Sequence, residues 1–104
     1  MIEEMTDDTF DKQTAKGVCL VLFYKNPCPY CQTMKGVVEK FGVKSPGVKL
    51  LQINGLEYTK MAAQLGVERF PDIFFFKDGA QTTARQKGMI NYQGLIALLQ
   101  TIPR

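Results

Sequence analysis

The chain has 104 residues, 45% of them hydrophobic, and a net charge of +3. That is enough for one domain able to bury about two-thirds of its unfolded surface without disulfide staples. No stretch reaches the ~18 apolar residues of a membrane span, and the modest charge makes no case for nucleic acid.

Met1–Met5 suits a short edge strand. Thr6 is an N-cap candidate with Asp7 and Asp8 in the first turn, where the positive end of a helix favours carboxylates. That helix is predicted to run to about Lys16 and stop at Gly17. Val18–Tyr24 (VCLVLFY) is continuously apolar, the mark of a strand buried on both faces and therefore central in its sheet. Asn26-Pro27 breaks the run. A helix is predicted to open at Cys28, with Pro29 in the first turn, where a missing N–H costs nothing. Its apolar positions Cys31, Met34, Val38 and Phe41 recur at three- and four-residue spacing, so one face is buried. Gly36 is a candidate bend and Gly42 the predicted end, before a Ser45-Pro46-Gly47 loop.

Val48–Ile53 reads as the next strand, followed by Asn54-Gly55, and Glu57–Leu65 as a short helix closed by Gly66. Ile73–Phe76 and Gln81–Gln86 read as strands joined by a Lys77-Asp78-Gly79 hairpin turn. After Gly88, Asn91 is placed to cap a last helix whose inner face is Leu95, Ile96, Leu98, Leu99 and Ile102. The order β-α-β-α-β-α-β-β-α describes a single α/β domain, residues 1–104, with a mixed sheet: a parallel portion first, then a hairpin.

Cys28-Pro29-Tyr30-Cys31 stands where the apolar strand gives way to a helix. The first N–H groups of a helix lack intrahelical acceptors and point at a residue in the position of Cys28, and the helix dipole adds positive potential. Both effects favour a thiolate, the nucleophile of thiol–disulfide exchange. Cys31, one turn on and on the apolar face, is expected to keep its proton until it resolves the mixed disulfide formed on Cys28. Five carboxylates and no base occupy residues 1–11, so the rest of the chain carries +8. Lys25 and Lys35 lie on either side of the pair, where a positive field favours a thiolate and steers acidic partners. A zinc site is not expected, because the chain has three cysteines and no histidine, short of the four ligands zinc takes. Three cysteines are also too few for a secreted disulfide scaffold, and the acidic N-terminus lacks the basic and apolar regions of a signal peptide. A cytoplasmic catalytic pair is therefore expected.

With these features the chain resembles the thioredoxin family over nearly its whole length. Thr6-Asp7-Asp8-Thr9-Phe10-Asp11 is similar to the family's first helix, and LVLFY before the pair to its central strand. GVERFPDIFFFKDG (Gly66–Gly79) resembles the cis-proline segment and hairpin, and Gly88 and the terminal helix also fall where the family has them. The resemblance implies the thioredoxin fold and a protein-disulfide oxidoreductase that needs no bound cofactor. It also implies disulfide-containing protein substrates, a flavin-dependent thioredoxin reductase as electron donor, and a monomer. It makes Cys28 and Cys31 catalytic and puts Pro27, Tyr30, Phe70, Pro71 and Gly88 at the substrate surface. Pro71 is expected in cis against the sulfurs, with Phe70 offering its backbone N–H and C=O to a peptide.

The departures carry information of their own. Thioredoxins usually have Cys-Gly-Pro-Cys after a tryptophan; here the dipeptide is Pro29-Tyr30 and Pro27 precedes it. CPYC is the usual motif of dithiol glutaredoxins, and it implies a less reducing pair. Leu22 stands where thioredoxins bury an acid, and Leu50 where a lysine often accompanies it, so slower resolution by Cys31, or reliance on water as proton acceptor, is expected. A glutathione-dependent activity is the first alternative. Against it, glutaredoxins carry Thr-Val-Pro and a Gly-Gly-Asp turn where this chain has Arg69-Phe70-Pro71 and Lys87-Gly88-Met89. The second alternative is a partner-binding subunit that does not use its thiols. Among single residues, Cys19 and Phe74–Phe76 are expected to pack in the core. Tyr24 is expected beneath the pair with its hydroxyl on a polar group, and Tyr30 as an exposed ring. Asp72 reads as a solvated carboxylate or a selector of basic substrates.

Overall fold

Every residue of the VCLVLFY run except its first is buried, because this is the middle strand of five. In the computed structural model, which describes residues 1–103, β1 (Glu3–Met5) is followed by α1 (Phe10–Gln13), β2 (Val18–Tyr24) and α2 (Pro29–Lys44). Then come β3 (Lys49–Asn54), α3 (Thr59–Gln64), β4 (Asp72–Lys77), β5 (Ala80–Lys87) and α4 (Tyr92–Gln100). The sheet order is β1-β3-β2-β4-β5, with β1, β3 and β2 parallel and β4 and β5 antiparallel. This is the mixed sheet expected, with β1 at its edge. No helix among the described residues is long and apolar enough to cross a membrane.

Successive residues of β2 point to opposite faces and build two cores. Cys19, Val21 and Phe23 pack with Met5, Phe10, Leu51, Met61 and Phe74 on the α1/α3 face. Phe10 meets Phe76 and Phe23 meets Phe74 edge-to-face, the arrangement ring quadrupoles prefer. Leu20 and Leu22 pack with Met34, Val38, Phe41, Phe75 and Leu95 on the α2/α4 face. The buried residues of α2 are the four its spacing picked out.

The N-terminal helix differs most from expectation. Thr6 does not cap a helix; Thr6 and Thr9 bond each other reciprocally, each hydroxyl accepting the other's backbone N–H at 3.0–3.2 Å. Only Phe10–Gln13 is helical. Asp7 serves elsewhere: its carboxylate accepts the N–H groups of Met61 (3.0 Å) and Lys60 (3.3 Å), first-turn donors of α3, whose own N-cap Tyr58 makes no such bond. An acidic cap taken from a distant segment ties the turn before α1 to α3. Asp7→Ala is expected to cost about 1 kcal/mol, read as a lower urea midpoint with an unchanged slope.

Gly42 does not end α2, which continues through Gly36 to Lys44. A side chain at Gly42 would run into Leu50 of β3, so this glycine permits close packing of helix on sheet. At the β4–β5 turn Asp78 and Gly79 both have positive φ (50° and 84°), as a two-residue type I′ hairpin requires. The Asp78 carboxylate also accepts the Gly17 N–H at 2.8 Å.

Candidate active site

The ladder register assembles the site at the end of β2. Phe23 pairs with Asp72 and Asp72 with Lys87, which brings Pro71 level with the last residue of β2 and Gly88 level with Pro71. The Gly88 N–H donates to the Pro71 carbonyl at 2.9 Å. Parallel β3 ends beside β2, where the Gly55 N–H donates to the Tyr24 carbonyl at 2.8 Å. A side chain on Gly55 would overlap the Phe70 ring, so the backbone passes directly beneath that ring.

Cys28 is the N-cap of α2, with extended backbone (φ −158°, ψ 97°) and Pro29 following in the first helical turn. Its Sγ accepts the backbone N–H of Cys31 at 3.2 Å, the donor that a helix start leaves free. The two cysteines are joined as a disulfide, with Cα atoms 5.2 Å apart. Tyr24 and the two cysteines form one buried cluster, with Phe70 packed against it. Cys28 is 6% exposed and Cys31 0%. The expected ranking holds, although Cys28 is less open than a freely exposed thiol because Tyr24 and Phe70 wall it in.

The peptide bond before Pro71 is cis, as the resemblance implied. That before Pro27 is cis too, and nothing in the residues around it signalled this; only ~5% of X–Pro bonds in folded proteins are cis. Tyr30 is 66% exposed at the start of α2, while Phe70, Pro71 and Gly88 line one groove together with Arg69 and Lys87. All seven residues named from the sequence thus lie at or directly beside this end of the sheet.

Leu22 and Leu50 are buried in the apolar α2/α4 core with Met34. Cys19 is fully buried, and burial pushes its thiol above the ordinary range. Asp72 corrects the sequence reading. It is 2% exposed, and both its oxygens are held by Arg85, from Nε at 3.1 Å and Nη2 at 2.6 Å. The same Nη2 donates to the Gly66 carbonyl at 3.2 Å. Asp72 is therefore an internal strut paired with Arg85 and not a solvated carboxylate. The bond to Asp72 in turn raises the Arg85 pKa.

Tyr24 makes the polar contact expected of it, although sequence reasoning missed which groups surround it. Its hydroxyl donates to Glu4 Oε2 at 2.8 Å, and Gln52 Nε2 donates to Glu4 Oε1 at 2.7 Å. The Lys35 ammonium sits 4.1 Å from the centre of the Tyr24 ring. Burial, reinforced by the hydrogen bond to Glu4, pushes the Tyr24 phenol well above its usual range. The four-residue step from Cys31 to Lys35 was the available signal; the Glu4 contact spans three strands and left none.

A disulfide across the first turn of a helix, set at the end of a central strand whose neighbour follows a cis-proline, is the apparatus of thiol–disulfide exchange. The fold and pair define a thiol–disulfide oxidoreductase. The thioredoxin family model matches residues 1–101, and the chain belongs to that family. It is similar to the thioredoxin of Chlamydia muridarum (strain MoPn / Nigg), at 28% identity over 99 residues, 95% of this chain and 96% of that protein. The thioredoxin of Chlamydia pneumoniae is 29% identical over the same shares. That of Listeria monocytogenes serovar 1/2a is 28% identical over 80 residues, 76% of this chain and 78% of its own.

Proposed function

We propose that Cys28 is the attacking thiolate and Cys31 the resolving thiol of a cytoplasmic, monomeric enzyme that reduces protein disulfides and is recycled by a thioredoxin reductase. The observation that carries the order of attack is the Cys28 Sγ at the helix N-cap, accepting the Cys31 N–H, while Cys31 is sealed beneath it. A substrate disulfide approaches along the Phe70–Pro71–Gly88 groove, with Pro27 and Tyr30 as the opposite rim. The Phe70 backbone pairs with the substrate peptide. Cys28 attacks one substrate sulfur and displaces the other as a thiolate. Cys31 then attacks Cys28 Sγ, which frees the captured substrate thiol and leaves the pair oxidised. Electrons from the reductase reopen it.

The test is insulin reduction with thioredoxin reductase as donor, compared with glutathione plus glutathione reductase. Turnover is expected with the first and little with the second, because Arg69-Phe70-Pro71 and Lys87-Gly88-Met89 offer no counterpart to the glutathione-binding segments. Turnover with glutathione alone overturns the assignment of donor. A Cys28→Ser/Cys31→Ser double variant that keeps its biological role would instead mark the protein as a binding subunit.

A further inference from the structure

We propose that Lys35, seated on the Tyr24 ring, is the cation that stabilises the Cys31 thiolate in the resolving step, in a chain whose central strand carries Leu22 and not an acid. The proposal rests on Cys28 being the first nucleophile.

Cys31 has no exposed surface, and an apolar surrounding disfavours a thiolate. Leu22 and Leu50 supply no charge to offset this. Lys35 follows Cys31 by four residues on α2, which puts the two side chains on one helix face, one turn apart. Its ammonium is held 4.1 Å above the ring of Tyr24, and that ring packs against the sulfur pair. The cation is thus tethered toward Cys31 twice, through the helix and through the ring.

The seat is itself fixed. Tyr24 is bound at its hydroxyl by Glu4, and Glu4 by Gln52. The phenol stays protonated wherever thiols exchange, so the ring keeps the negative face that attracts an ammonium. The other charged or titratable groups around Tyr24 are Glu4 from β1 and Glu57 and Tyr58 from the segment after β3. Both carboxylates oppose a nearby thiolate, and Phe70, which also packs against the pair, is neutral. Lys35 therefore works against Glu4 and Glu57.

In the step itself the Cys31 thiol loses its proton to solvent, and the thiolate attacks Cys28 Sγ. The Cys28–Cys31 bond forms as the Cys28–substrate bond breaks. The departing substrate thiolate takes a proton from solvent, so the substrate disulfide is reduced by two electrons as the pair is oxidised.

A chromogenic aromatic disulfide tests this, because it releases one coloured thiolate when Cys28 attacks and a second when Cys31 resolves. Stopped-flow traces across pH separate the two phases. Lys35→Met should move the pH midpoint of the second phase up by about 0.5–1 unit, slowing it three- to tenfold below the midpoint. Lys35→Arg should restore it. Glu4→Gln, which keeps an acceptor for Tyr24 but removes the opposing charge, should move the midpoint the other way. A purely structural role for Lys35 gives no opposite-signed pair. An unmoved second phase in Lys35→Met, or failure of Lys35→Arg to restore it, overturns the proposal. If the first phase survives Cys28→Ser, the order of attack is wrong, and the proposal falls with it.

Discussion

Cys31→Ser is expected to capture a substrate disulfide and fail to let it go. Cys28 remains at the N-cap with helix N–H groups behind it, so the first attack proceeds. The displacement that ends the cycle then needs an external thiol. In the native pair the second sulfur lies one turn away, at a Cα separation of 5.2 Å, and a nucleophile so held has an effective concentration no cellular thiol matches. Steady-state insulin reduction should fall by roughly 10³-fold or more. A covalent adduct on Cys28 should accumulate, visible by intact mass and lost on adding dithiothreitol. Cys28→Ser should lose turnover equally but trap nothing, since Cys31 is sealed beneath it. Sustained turnover by Cys31→Ser, or an adduct mapped to Cys31, would reverse the assigned roles.

The second large effect concerns stability. Arg85→Leu removes the counter-charge of a carboxylate that is 2% exposed. Breaking a buried pair from one side costs about 3–5 kcal/mol. The Arg85 side chain is itself 24% exposed, so water reaches the edge of the pair, and a loss of about 2–4 kcal/mol is expected after that discount. Urea denaturation measures it. An Asp72→Leu/Arg85→Leu double variant should recover most of the loss, because no charge is then left without a partner. Loss of the bond from Arg85 to the Gly66 carbonyl also loosens the segment that ends in Pro71, so KM for a protein substrate should rise more than kcat falls. A loss below about 1 kcal/mol would show that solvent, and not Arg85, satisfies Asp72.

Much of the site could be read before the fold was known, because the chemistry and its support are adjacent in the chain. A continuous apolar run ending at a proline, two cysteines one turn apart and a three-to-four-residue apolar stripe are local patterns with local causes. They located β2, the start of α2 and the ranking of Cys28 over Cys31. The errors arose where a residue's partner is remote. Asp7 looked like the first turn of its own helix and caps another. Gly42 looked like a helix end and is a contact with Leu50. Asp72 read as solvated or as a selector because Arg85 lies thirteen positions away, joined to it only by the β4–β5 register.

Residue order alone therefore decided the strand and helix types, the parallel-then-hairpin sheet and the identity of the reactive pair, since backbone periodicity and neighbouring side chains act over a few positions. Which charges stay buried, which ring carries Lys35, and which loop lies under Phe70 were decided only when β1, β3, β2, β4 and β5 came into register. Those relations depend on strand pairing between segments far apart in the chain, where a shift of one residue would turn every side chain to the opposite face.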